Sequence, residues 1–245
     1  MTAVTEVVVG AAIEADQRRR LSLDSIERAI SEIRIGRPVL VLDRDHPDSP
    51  GELIFSAHHA RTELVSFAVR HTSGYLCVAL PDIEADRLGL PTMSSAGTGE
   101  TAFAVTVDAA QGITTGISAA DRGHTIRLLA QAQTTPAELT RPGHVVPIRA
   151  LPDGVLQRAA QAEAASDLPR LAGLAPVGVL AEVVSRHDPL TMATGSELRE
   201  FADEFGLALV TVDQLVAYRR RVERRSTRRL AAALRQLADV LDPTK

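Results

Sequence analysis

The sequence predicts a single α/β (α+β) domain, a mixed sheet with helices around it, followed by a helical tail. Three observations carry that prediction: strand-like and helix-like stretches alternate irregularly, no internal repeat recurs, and no domain-sized linker interrupts the chain. With 245 residues and 45% hydrophobic content there is enough apolar side chain to bury such a core. The predicted divisions are an N-terminal extension over 1–20, the domain over 21–222 and the tail over 223–245.

Residues 1–20 run apolar and then charged without a period, which predicts an extension. Residues 24–34 predict a helix, because Ile26, Ala29, Ile30 and Ile33 share a face and Asp24 with Glu27 has capping-box spacing. Gly36 ends it, and 38–43 is a short buried strand. A proline-broken acidic loop leads to a second strand at 52–55. Then follow a helix over 60–70, an apolar strand over 75–80 and a short helix over 82–88. Residues 93–99 are small and polar, hence a loop with freedom to move. Residues 101–108 alternate, with Phe103, Val105 and Val107 on one face, and predict a strand. Further on, 154–173 is largely helical, 177–184 a strand, 197–205 a helix closed by Gly206, and 207–212 a strand. Residues 214–241 predict one long Arg-rich amphipathic helix, with Leu230, Leu234, Leu237 and Leu241 at helical spacing.

Composition excludes several function classes. A net charge of −4 and a pI near 6.0 do not suit a nucleic-acid surface. No leading apolar segment and no run of 18 apolar residues is present, so the expectation is a cytoplasmic protein with no membrane partner. Cys77 is the only cysteine, which excludes an internal disulfide and a multi-cysteine zinc site. Lys245 is the only lysine, which argues against Schiff-base and P-loop chemistry. Arginine must therefore handle any phosphate, and no organic cofactor is expected.

The polar residues concentrate in two places. Between Gly112 and Pro147 stand Thr114-Thr115-Gly116, then Ser118 to Arg122, then Thr140 to His144. Ser118 has the position of an N-cap, with Asp121 third in the helix, and the exposed N–H groups beside Arg122 suit a phosphate or carboxylate. His144 follows Pro142-Gly143, read as a rigid turn that presents an imidazole at the mouth of the next strand. His124, beside Asp121 and Arg122, is either a general base or a surface histidine. The loop from Asp43 to Glu52 holds four carboxylates and an imidazole, a set that suits a hard divalent cation or simply a solvated turn. His58 and His59 read as a surface pair, and Cys77 as a buried wall residue.

Thr114-Thr115-Gly116 with Ser118-Ala119-Ala120-Asp121-Arg122, and Arg141-Pro142-Gly143-His144 with the following Val-Val-Pro, resemble the core signature of the 3,4-dihydroxy-2-butanone 4-phosphate synthases. Gly178-Val179-Leu180-Ala181-Glu182 and the run from Leu209 to Tyr218 recur in the same family order, so the resemblance covers roughly residues 24–222. It implies that family's fold and a Mg²⁺-dependent conversion of ribulose 5-phosphate to 3,4-dihydroxy-2-butanone 4-phosphate and formate. It also implies a homodimer with the site near the interface. Many members continue into a GTP cyclohydrolase II domain, and the expectation from this sequence is a member without one.

The overlay also marks departures. The family's arginine and metal-binding glutamate fall on Pro47 and Asp48, and its next two acids on Pro50 and Glu52. Its R-x-G-H-T-E-A element reads Arg158-Ala159-Ala160-Gln161-Ala162-Glu163-Ala164, so the metal histidine is Gln161. The candidate site is therefore His144, Glu182 and Asp121 for proton transfer, with Arg141, Arg158, Glu52, Thr115 and His124 around the substrate and Asp48 as a weak metal ligand. These departures rank an altered enolisation, rearrangement or lyase reaction first. The unaltered synthase reaction comes second and a non-catalytic partner subunit third, with weak Mg²⁺ binding expected.

Overall fold

A computed structural model describes residues 21–44, 48–93 and 101–241; the predicted extension and most of the small polar loop after Met93 lie outside them. The helices are α1 (Ile26–Arg34), α2 (Thr62–His71), α3 (Asp82–Arg87), α4 (Ala119–Leu129), α5 (Gln161–Leu171), α6 (Gly195–Phe205) and α7 (Val212–Leu241). The strands are β1 (Val39–Leu42), β2 (Gly51–Ser56), β3 (Cys77–Pro81), β4 (Ala102–Phe103), β5 (Val107–Ala109), β6 (Leu139–Ala150), β7 (Gly178–Glu182) and β8 (Ala208–Thr211).

Strand order is β4-β6-β3-β7-β2-β1-β8, with β5 pairing β6 off that path. β1 with β8 and β3 with β6 are parallel, and the remaining pairs are antiparallel. The central strands are apolar on both faces, which demands a layer of helices on each side. Leu40, Leu42, Leu53, Phe55, Val78 and Leu80 pack against side chains of α2, α4 and α6. Their alternates Val39, Val41, Ile54, Ala79 and Leu180 pack against α1, α5 and the start of α7. The sheet is thus the middle of three layers, as the mixed-sheet prediction requires.

Local chemistry sets the boundaries. Ser25, not Asp24, caps α1, its side chain accepting from Arg28 N. Asp24 is drawn away to the β8 backbone, where Leu209 N donates to Oδ2 at 2.9 Å. Thr194 and Glu197 form a capping box on α6, and Gly206 closes it in the left-handed conformation (φ 65°). α7 runs unbroken across residue 222, anchored by buried Arg219, whose Nη1 donates to Asp167 Oδ2 and Asp153 O, both at 2.7 Å.

Two predicted features are corrected. Residues 101–108 are not one strand: β4 and β5 are separate, and Ala104 and Val107 are both fully buried, which strict alternation forbids. Residues 140–144 are not a turn either, for they lie inside β6. Gly143 serves a close approach, since a Cβ there would stand 2.0 Å from the carbonyl carbon of Val107. Gly178 plays the same part where β7 crosses α5, a Cβ there falling 1.9 Å from Ala165 O. Gly178→Ala is expected to cost about 2–3 kcal/mol and to lower Tm by roughly 5–10 °C, read by thermal melting.

Candidate active site

The sheet brings three acids from distant sequence to one end of the α5-covered face. Val41 pairs with Glu52, and Glu52 with Glu182, so the two glutamates are cross-strand neighbours on one face. Asp43 follows β1 at the same end, and α5 begins above them at Ala160-Gln161-Ala162. The result is a cavity of about 410 Å³ lined by Asp43, Glu52, Gln161 and Glu182, with Tyr75 and Phe103 among its walls. Among the described residues that line it there is no arginine, lysine or histidine.

Burial, then the neighbouring Glu182 and Asp43 charges, push the Glu52 carboxyl up to about 8. Near pH 7 that carboxyl holds a proton and can donate it. Among the described residues its Oε2 is buried with no hydrogen-bond partner, as is Oε1 of Gln161. Gln161 is fixed at its other end, where Nε2 donates to Val41 O at 2.9 Å. The Cys77 thiol in the cavity wall is pushed up to about 12 by burial and by Glu52, so it is no nucleophile at neutral pH.

His144 lies elsewhere. Its Nδ1 is 2.7 Å from Asp108 Oδ2, and its backbone N donates to Asp108 Oδ1 at 3.0 Å. The buried Asp108 carboxyl thereby orients the ring of a half-exposed imidazole. Gly116 lets the 114–116 loop close over this pair, because a Cβ there would meet Asp108 Oδ2 at 2.2 Å. Sequence reasoning missed Asp108, although it is the only charged residue in the apolar run 101–110. Asp108→Asn is expected to lower the rate by about 10²-fold through the wrong imidazole tautomer, with Km nearly unchanged, in steady-state assays.

The other predicted residues are placed as follows. Ser118 caps α4 as expected, but the Asp121 side chain accepts from Thr114 Oγ1 (2.8 Å) and Gly116 N (3.1 Å), so it holds the loop together. The Thr114 bond keeps that carboxyl below the usual range. Arg141 donates to Leu88 O (2.6 Å) and Leu139 O (3.1 Å), and Arg158 pairs with buried Glu163 at 2.6 Å. Thr115 is exposed, and His124 lines a separate cavity with Gln111 and Glu138. Asp48 is exposed and does not line the acid cavity. Within one chain, then, the cavity collects Glu52 and Glu182 but not His144.

Hard oxygen ligands are the right chemistry for Mg²⁺. Yet no three His, Cys, Asp or Glu side chains among the described residues come together as a metal-holding group. Gln161 offers only one pinned amide oxygen. Asp43, Glu52 and Glu182 are the carboxyls that the described cavity would offer to such an ion.

A three-layer α/β fold with an acid-lined cavity at the sheet end defines a site for a small polar molecule. The chain belongs to the 3,4-dihydroxy-2-butanone 4-phosphate synthase family, whose profile matches residues 27–218. It is 51% identical over 207 residues to the riboflavin biosynthesis protein RibBA of Nocardia farcinica, covering 84% of this chain and 50% of the relative. It is 54% identical over 202 residues to the RibBA of Salinispora arenicola, covering 82% and 48%. The chain thus spans about half the length of the curated relatives it matches. Among solved structures, the Candida albicans 3,4-dihydroxy-2-butanone 4-phosphate synthase superposes with TM-score 0.76 at 37% identity, covering 80% of this chain and 97% of that one. A synthase in complex with two magnesium ions also gives 0.76, at 36% identity, covering 82% and 99%. No described helix is long and apolar enough to cross a membrane.

Proposed function

We propose that the chain is a lyase of this family that converts ribulose 5-phosphate to 3,4-dihydroxy-2-butanone 4-phosphate and formate. The sequence departures rank an altered reaction first, but similarity at 51–54% identity to proteins named for riboflavin biosynthesis favours the retained one. The observation that carries the reading is the Glu52–Glu182 pair, two carboxyls on neighbouring strands of which Glu52 is protonated near neutral pH. Carboxyls pushed apart in proton affinity divide acid and base work.

Enolisation of a ketose removes a proton from the carbon beside the carbonyl and places one on the carbonyl oxygen. Glu182 is the base for the first transfer, and the Glu52 hydroxyl supports the developing oxyanion and supplies the second. The phosphate docks at the start of α5, where the N-cap Ala160 makes no side-chain cap and leaves the first backbone N–H groups available. The later steps, carbon-skeleton rearrangement and formate release, need a further proton carrier, and His144 held by Asp108 suits that role. Since His144 does not line the cavity of its own chain, the reading includes a homodimer that closes over the exposed rims at Tyr75, Phe103 and Ile117. Sedimentation velocity should show a dimer at micromolar concentration; a monomer at high micromolar concentration would remove His144 from the mechanism.

A second reading, an altered reaction on a related substrate, is favoured by one observation. Ala160, Gln161 and Ala162 stand at the α5 start where the resemblance places glycine, histidine and threonine. Incubation with ribulose 5-phosphate, with and without Mg²⁺, followed by a formate dehydrogenase assay separates the two. No formate under either condition sinks the retained reaction.

A further inference from the structure

Arg122 is a buried guanidinium in the first turn of α4, 6% exposed, as is Asp108 on β5. Its Nη1 donates to Gly74 O at 2.8 Å, and among the described residues its Nε is shut away from solvent without a partner. Gly74 lies between Ser73 and Tyr75 of the acid-cavity wall, so the far end of the side chain is pinned. Burying a guanidinium is costly unless an opposite charge offsets it. Arginine does not escape that cost by giving up its proton.

The offsetting charge is Asp108. Thr125, one turn beyond Arg122 on the same face of α4, accepts from Ala109 N at 2.9 Å, so this face lies on β5 beside Asp108. Gly116, which packs on Asp108 and His144, is tied to the start of α4 by Asp121. Burial holds the Arg122 guanidinium below the usual arginine range, and the Asp108 charge opposes that shift. The other charged groups on these elements are engaged elsewhere. Asp121 accepts from Thr114 and Gly116, Arg127 donates to Ala60 O, and Arg141 donates to Leu88 O. Arg149 pairs with Asp82, and His124 lines the separate cavity near Gln111. The loop over 110–118 has no charged side chain. Asp108 thus shares its charge between Arg122 and the His144 ring, whose Nδ1 is 2.7 Å away.

A carboxylate beside an imidazole favours the protonated ring, and a cation near both works against it. We propose that Arg122 is a positioning residue for His144: its buried charge balances that of Asp108, so that the carboxylate orients the ring without locking a proton onto it. Removing a positive charge makes a proton on the Asp108–His144 pair more tightly held, which fixes the sign of the effect. A purely structural Arg122 would hold the turn at Gly74 and leave that proton unaffected. The inference rests on the ketose-phosphate reading only where it gives His144 a catalytic role.

The test is an NMR pH titration of the His144 ring in the full chain, its resonance being the one lost in His144→Gln. Arg122→Gln keeps a donor for Gly74 O and removes the charge. It is expected to raise the His144 midpoint by about one pH unit, a roughly tenfold tighter hold on the proton. Arg122→Lys keeps the charge and should titrate close to the parent. A folded Arg122→Gln with an unmoved or lowered midpoint overturns the inference, as does an Arg122→Lys that shifts as far as Arg122→Gln. Should Arg122→Gln not fold, the parent decides: the shielded Arg122 Nε–H resonance should move with the His144 midpoint, and a flat one overturns the inference. With ribulose 5-phosphate, the acidic limb of formate release should move up in Arg122→Gln by the same amount, and a limb that stays in place overturns the positioning role. A parent that releases no formate counts against the ketose-phosphate reading alone, because the NMR midpoint needs no turnover.

Discussion

Glu182→Gln is expected to lower formate release from ribulose 5-phosphate by about 10²–10⁴-fold while leaving the protein folded, as judged by circular dichroism. The glutamine keeps the shape of the side chain and removes its capacity to take a proton. Glu182 closes β7 opposite Glu52 at the cavity wall, and Asp43 is the other acid of that lining. His144→Ala should lose at least 10²-fold as well if the later proton transfers run through the imidazole. Asp48→Asn should matter less than either, because Asp48 is exposed and outside the cavity. The reverse pattern, Asp48→Asn inactive and both other variants active, would put the chemistry back on the acidic loop and away from the carboxyl pair.

Most of the fold was legible because its elements carry their own signals. α1 shows its buried face as Ile26, Ala29, Ile30 and Ile33, and α6 shows both ends through Thr194, Glu197 and Gly206. What failed was wherever two distant backbones touch. Gly143 looks like a turn residue in sequence, and only the approach of Val107 reveals that it must be small to let β5 meet β6. The alternation at 101–108 is real as a pattern, but Ala104 N is drawn to Pro147 O and the chain breaks into two strands.

The site divides along the same line. Glu52 and Glu182 were each identifiable, through the resemblance, but their pairing is set by β2 lying against β7, a contact between residues far apart in the chain. His144 was conspicuous and its partner was not, because Asp108 is identified by a 2.7 Å contact across β5 and β6. Arg141 and Arg158 read as anion binders from type alone. In the folded chain the first satisfies backbone carbonyls and the second pairs with Glu163, uses of arginine that composition cannot distinguish from phosphate binding.

Glu52→Gln should raise stability, and by more at pH 8 than at pH 5. In the unfolded chain this carboxyl ionises near its ordinary value of 4.5, whereas in the folded chain it does so near 8. Below about pH 4.5 it is protonated in both states and contributes no pH dependence. Between the two values the unfolded state has lost the proton and the folded state has kept it, so the folded state becomes progressively less favoured as pH rises. Above about 8 both states are ionised and the penalty is complete. Each tenfold change in proton affinity is worth about 1.4 kcal/mol, which sets a ceiling on the order of 5 kcal/mol for the full effect. Glutamine escapes this cost because it never ionises, and it keeps a carbonyl oxygen in place of Oε2. Urea unfolding of the parent and of Glu52→Gln should therefore coincide near pH 4.5 and diverge by about 2–4 kcal/mol at pH 8. Parallel pH profiles with a constant difference would mean that Glu52 ionises normally in the folded chain, and that the protonated partner assigned to Glu182 does not exist. The same variant is expected to lose most of its formate release, since an amide cannot give up a proton to the enolate oxygen. Higher stability together with lower turnover is the pattern of a group held in an unfavourable state by its role in a site.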